Sequence, residues 1–162
     1  MRAYLASPLG FAQSTLPFME LMERVLAEQG LEVSNPWRQP LSAALSQAHT
    51  ITDPVERLQE LRRLNFLVGQ ANEIAILDAD LVIAVLDGID VDSGTASEIG
   101  FAYANGKPIF GLRTDFRLSG ENEAAKVNLQ VAYWIEASKG SIATSLAELC
   151  DELKMWLDRA SS

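Results

Sequence analysis

Cysteine and histidine are nearly missing from this chain: Cys150 and His49 each occur once. One cysteine closes no internal disulfide, so nothing asks for an oxidising compartment, and a cytoplasmic protein is expected. Cys150 lies in a helical pattern and reads as a small core hydrophobe. His49, in a polar stretch beside Thr50, reads as a surface residue. A single thiol and a single imidazole also give no zinc spacing, so no metal is expected. Cations are the next shortage, with 13 Lys and Arg against 22 Asp and Glu and a formal charge of −9. A nucleic-acid surface needs clustered Lys and Arg, so small-molecule partners are expected instead. No apolar run approaches the ~18 residues of a membrane span. The opening Met1-Arg-Ala-Tyr-Leu-Ala-Ser7 is too short for a signal core and reads as a strand. There is no Walker sequence and no G-x-G-x-x-G, which argues against a dinucleotide cofactor. Internal repeats, low-complexity stretches and linkers are absent too, so residues 1–162 are expected to form one domain.

What remains is an alternation of short apolar runs with helical patterns. Ala3 to Ser7 reads as a first strand, Leu31 to Ser34 as a second, Asp80 to Leu86 as a third and Lys107 to Leu112 as a fourth. Thr15 to Gln29 carries Leu16, Met19, Met22, Val25 and Leu26 at helical spacing, and Gly30 stops it. Leu41 to Ala48 reads as a short helix inside the least legible stretch, residues 37 to 53. Asp53-Pro54 opens a long helix to about Leu77, with a possible break at Gly69. Gly94 to Asn105 is a helix ended by Gly106, and residues 113 to 127 form a polar loop. Asn128 to Glu136 reads as a strand or a short helix. Ser141 caps a last helix to about Arg159. Strands alternating with helices imply a parallel sheet with right-handed crossovers.

The expected architecture is a flavodoxin-like α/β fold, doubly wound, with strand order 2-1-3-4-5. In that order the chain leaves strands 1 and 3 in opposite directions, and ligands bind in the crevice between them. Tyr4, Ser7, Gly10 and Phe11 should then face Asp92, Gly94 and Glu98. The absence of an acidic pair at the end of strand 1 argues against a receiver domain. Glu98, early on a helix and flanked by Ile99, Gly100, Phe101 and Ala102, is a candidate nucleophile. The chemistry alone leaves it open between that role and a solvated helical glutamate.

The segments Ala79-Asp-Leu-Val-Ile-Ala-Val-Leu-Asp-Gly88, Asp92-Ser-Gly-Thr-Ala-Ser-Glu-Ile-Gly-Phe-Ala102 and Gly106-Lys-Pro108 resemble the nucleoside 2-deoxyribosyltransferases. Tyr4-Leu-Ala-Ser-Pro-Leu-Gly-Phe11 is similar to that family's first strand and loop, and Asn128-Leu-Gln130 to its late Asn-Leu-Met segment. The resemblance implies a flavodoxin-like fold and transfer of 2-deoxyribose between nucleobases, with no cofactor. It implies that Glu98 attacks the anomeric carbon to give a covalent glycosyl-enzyme, resolved with net retention. Tyr4 would hold the nucleophile, and Asp92 the sugar hydroxyls. Phe11 would lie against the base, and Ser7 and Gly94 would line the site. Asn128 would reach a neighbouring subunit's site, which implies a homo-oligomer. Gln130 and Leu9 would alter base preference.

One position departs from the resembled pattern. Asn72 stands where the family places an aspartate that exchanges a proton with the base, and an amide does not exchange one at useful pH. Three accounts are open: Asn72 is a neutral hydrogen-bond partner, water or Glu73 supplies the proton, or the chain is an acid-removed variant. Two other functions compete with transfer. One is hydrolysis of nucleosides or their 5′-monophosphates, for which Arg113 and Arg117 are the nearby phosphate candidates. The other is a non-catalytic nucleoside-binding module.

Overall fold

Short strands rich in Val, Ile, Leu and Ala leave no polar face, so a sheet built from them must be covered on both sides. The protein, seen here as a computed structural model, does this over residues 1–160; the two C-terminal serines of the expected 1–162 domain lie outside the described residues. Strands β1 (Arg2–Ala6), β2 (Glu32–Ser34), β3 (Leu81–Val85), β4 (Ile109–Leu112) and β5 (Ile142–Ala143) form one parallel sheet in the order β2-β1-β3-β4-β5. This is the flavodoxin-like order expected from the sequence. The switch point falls between β1 and β3, where Tyr4 pairs with Val82 and Ala6 with Ala84.

Helix α1 (Leu16–Glu28) joins β1 to β2, and α2 (Pro40–Ala48) with α3 (Pro54–Asp78) joins β2 to β3. Then α4 (Ser93–Ala104), α5 (Leu129–Ala137) and α6 (Leu146–Ala160) follow β3, β4 and β5. The two-residue period of a strand divides the core. Ala3, Leu5, Leu81, Ile83 and Val85 pack with Met19, Met22 and Leu26 of α1 and Leu149 and Leu153 of α6. Tyr4, Ala6, Val82 and Ala84 face the other way, onto Ile76 of α3, Ile99 and Ala102 of α4, and Val131 and Ile135 of α5. Gly30 and Gly106 follow α1 and α4 with positive φ, as expected of glycines that stop helices. No helix among the described residues is long and apolar enough to cross a membrane.

Of three local expectations, one is resolved and two need correction. The segment read as a strand or short helix from Asn128 is a helix, because the Asn128 side chain accepts from Gln130 N and Val131 N and caps α5. The fifth strand is Ile142–Ala143, and Ser141 does not cap the last helix: its carbonyl accepts from Gly111 N at 2.8 Å within the ladder. Helix α6 begins only at Leu146, with Ser145 Oγ accepting from Glu148 N. A two-residue strand has no period to detect, so only its neighbour β4 identifies it. Finally, α3 runs unbroken through Gly69. An interior glycine costs a helix about 1 kcal/mol, too little to break one packed against α2 and α4.

The start of α3 is set by Asp53, whose Oδ1 accepts from Val55 N at 2.9 Å and Glu56 N at 2.8 Å. Asp53→Ala is expected to lower stability by about 1 kcal/mol, read from urea unfolding midpoints, while Asp53→Ser keeps most of it.

Candidate active site

Strand alternation decides where the first functional side chain goes. Tyr4 lies on the α4 side of β1, fully buried, and its hydroxyl donates to Glu98 Oε1 at 2.6 Å. Glu98 is brought there by the turn from β3 into α4. Asp92 caps that helix, its Oδ2 accepting from Thr95 N at 3.0 Å. This places Glu98 in the second turn of α4, on the face that looks across the switch point. From α3, Asn72 Nδ2 donates to the same Oε1 at 3.4 Å, and Gln39 Nε2 donates to Asn72 Oδ1 at 3.5 Å. A relay of two amides and a phenol therefore converges on one carboxylate oxygen.

The electrostatics follow from burial. Desolvation pushes the Glu98 carboxyl up to about 6, and the charge of Asp92 pushes the same way, while the hydrogen bond from Tyr4 opposes both. The Tyr4 phenol is held above its ordinary value, chiefly by burial and then by the Glu98 charge. Tyr4 is thus a fixed donor, and Glu98 a carboxylate poised near neutrality.

A cavity of about 340 Å³ opens over Glu98. Ser7 and Phe11 of the first loop line one side, and Asp92, Gly94 and Thr95 another. Pro36, Trp37, Gln39, Leu41, Ser42 and Leu45, with Val68 and Asn72 of α3, complete it. Trp37 is the best-anchored wall: Nε1 donates to Ser7 O at 2.8 Å, and Asn35 Oδ1 accepts from its backbone N. Its ring lies against Gly10, where a Cβ would fall 2.0 Å from Trp37 Cδ2. Phe11, 73% exposed, meets the Trp37 ring edge-on at 4.5 Å. None of the lining residues is Lys, Arg or His. Among the described residues no group of three or more His, Cys, Asp or Glu side chains is gathered as metal ligands would be.

Of the residues singled out in the sequence, Tyr4, Ser7, Phe11, Asn72, Asp92, Gly94 and Glu98 come together here. Asn128 and Gln130 do not line this cavity: Asn128 caps α5 and donates to Glu121 Oε1 at 2.8 Å, and Gln130 is exposed. Leu9, expected near the base, is instead in the core against α1, because the turn Leu9–Phe11 directs it inward. Glu73 is exposed and outside the cavity lining. Arg113 is buried and donates to the carbonyls of Leu86, Gly88 and Arg117, and Arg117 pairs with Asp115. Neither arginine lines the cavity. Sequence reasoning missed Trp37, Gln39, Leu41, Ser42, Leu45 and Val68. The available signal was an aromatic directly after strand 2, at the ligand-binding edge of the sheet.

The chain's likeness to known proteins agrees with the fold. The sequence model of the nucleoside 2-deoxyribosyltransferase family matches residues 3–130. A conserved protein of Enterococcus faecalis V583 superposes with a TM-score of 0.65 at 25% identity, covering 96% of this chain and 98% of that one. A 2-deoxyribosyltransferase of Bacillus psychrosaccharolyticus gives 0.57 at 21% identity, covering 92% and 96%. A CMP N-glycosidase of Clostridium botulinum gives 0.54 at 21%, covering 96% and 99%. No curated protein matches the sequence.

The raised carboxyl has a consequence for stability. Glu98 titrates near 6 in the fold against 4.5 ordinarily, so its contribution is fully present below pH 4.5 and is lost as pH rises through 6. Glu98→Gln escapes that loss. At pH 8 the variant should be more stable than the parent by roughly 1–2 kcal/mol, and the gap should close by pH 4. A gap equal at both pH values in urea titrations would contradict this.

Proposed function

The chain belongs to the nucleoside 2-deoxyribosyltransferase family, and on that premise we propose that it moves 2-deoxyribose from one nucleobase to another through a covalent glycosyl–Glu98 intermediate, with retention. The observation that carries the reading is the 2.6 Å hydrogen bond from a buried tyrosine to a desolvated carboxylate at the cavity floor. An oxocarbenium-like transition state needs a nearby carboxylate held in one orientation. Tyr4 anchors Oε1, so that Oε2 addresses the anomeric carbon. Glu98 attacks C1′ from the face opposite the base, the C1′–N bond breaks and its pair leaves with the base, and a second base then displaces the carboxylate from the face the first base left.

The other roles follow from position. Asp92, fixed by its cap on α4, takes the sugar hydroxyls, with Ser7 and Gly94 beside it. Phe11 and Trp37 flank the base. Asn72 is a neutral partner: it donates to Glu98 and accepts from Gln39, and Glu73 lies outside the cavity. Asn128 and Gln130, outside their own chain's cavity, serve the site of a neighbouring subunit in a homo-oligomer. Hydrolysis of a 5′-monophosphate is disfavoured, because the cavity has no cation for the phosphate and two carboxyls that would repel it.

Incubation with a 2′-deoxynucleoside and a different free base should yield the exchanged nucleoside, and Glu98→Ala should abolish it. Free sugar as the sole product would make the protein a hydrolase, and a bound, unaltered nucleoside with no glycosyl adduct by mass spectrometry would make it a binding module. The pH profile of kcat/KM should fall on the acid side near 6 as Glu98 takes a proton. The bond from Tyr4 lowers the Glu98 pKa, so Tyr4→Phe should move that limb to higher pH. An unmoved limb would separate Tyr4 from the nucleophile.

A further inference from the structure

Departure of an ordinary nucleobase leaves negative charge on a ring nitrogen, and enzymes commonly meet it with a proton from a positioned acid. This cavity holds two titratable side chains, Asp92 and Glu98. Glu98 is the proposed nucleophile. Asp92 Oδ2 accepts from Thr95 N and Oγ1, and its other oxygen goes to the sugar hydroxyls in the proposed reaction. The remaining polar lining is Gln39, Ser42, Asn72 and two other hydroxyls, amides and alcohols that do not give up protons at useful pH. The site has the means to make a glycosyl bond to carbon and no acid to discharge the base.

The same cavity is built to attract positive charge. Two carboxyls and no Lys, Arg or His line it, in a chain of formal charge −9. Its aromatic wall is rigid: the Trp37 indole is tied to Ser7 O at 2.8 Å and Phe11 meets it edge-on at 4.5 Å. Aromatic side chains lining the same cavity as two carboxyls suit a cationic heterocycle, through charge and cation–π attraction.

Resting on the reading of Glu98 as nucleophile, we infer that this cavity takes glycosides of cationic nitrogen heterocycles, of the pyridinium or N-alkylated purinium class. In the first step a Glu98 oxygen bonds to C1′ as the C1′–N bond breaks. The bonding pair passes to the ring nitrogen and cancels its positive charge, so the heterocycle leaves neutral and no proton moves. In the second step the lone pair of an incoming neutral heterocycle attacks C1′, and the carboxylate takes back its pair. With water in its place, the hydroxyl goes to C1′ and one proton to solvent. Asn72 and Gln39 then serve recognition rather than proton transfer.

The test compares kcat/KM at pH 7 for 7-methyl-2′-deoxyguanosine and the 2′-deoxyriboside of nicotinamide with that for 2′-deoxyguanosine. The cationic substrates should lead by about 100-fold or more, the low end of what a general acid supplies. Asn72→Asp, which adds an acid, should raise turnover of 2′-deoxyguanosine and shrink the ratio at least tenfold. Gln39→Glu is the second acid-adding variant should the first not fold. A parent ratio below 100-fold, a ratio that an acid-adding variant leaves within tenfold, or no turnover of the cationic nucleosides overturns the inference. Turnover that survives Glu98→Gln overturns the nucleophile reading itself; turnover that needs Glu98 without the preference overturns only the substrate class.

Discussion

A tyrosine on an inner strand is held from both sides, and that constraint is what gives the site a geometry. Tyr4 sits on β1 between β2 and β3, with its backbone held by ladders on both sides and its ring wholly buried. Its hydroxyl therefore points at a fixed place, and Glu98 is the group that meets it. The carboxylate pays a desolvation penalty for being there, visible in its upward displacement to about 6. A folded core tolerates such a cost where the group is held for chemistry, and strong pKa perturbation in a cleft marks functional sites for this reason. The bond from Tyr4 offsets part of that cost and selects one orientation of the carboxylate.

Around this pair the walls differ in kind. The sheet side contributes Asp92, Gly94 and Thr95 from the start of α4, rigid because the helix cap defines them. The far side comes from the turn after β2, from α2 and from α3, and is apolar and amide-bearing. Relatives on this fold include a 2-deoxyribosyltransferase and a CMP N-glycosidase, so the scaffold alone does not settle the acceptor or the base. In the far wall the amides of Gln39 and Asn72 stand in line with Glu98, and the indole of Trp37 packs into the space left by Gly10.

Much of the sheet was legible because β1, β3 and β4 are continuous apolar runs, and α1 and α3 carry a stop and a cap of known chemistry. The fifth strand was not, because two residues carry no pattern of their own. The polar half of the site was legible for a related reason. Asp92 caps a helix at the end of the third strand and Glu98 follows in its second turn, where chain order alone assigns them to the mouth that the first strand, with Tyr4, also feeds. The apolar half was not: Leu41, Leu45 and Val68 read as ordinary helical hydrophobes, and nothing local distinguishes a residue lining a cavity from one filling a core. Leu9 shows the converse, since it sits beside site residues in sequence yet packs inward beneath them.

The amino-acid order by itself determined the parallel α/β winding, the switch point between the first and third strands, and the carboxylate placed there. These depend on periodicity and on loop position, which are properties of neighbouring residues. The family resemblance anticipated the pairing of Tyr4 with Glu98 and the place of Asn72, but only the tertiary structure decided that both donate to the same oxygen, that Gln39 backs Asn72, and that Trp37 closes the cavity. It also decided that both nearby arginines are engaged elsewhere. Contacts between distant segments depend on how helices settle on the sheet, and that packing is set by the whole core at once.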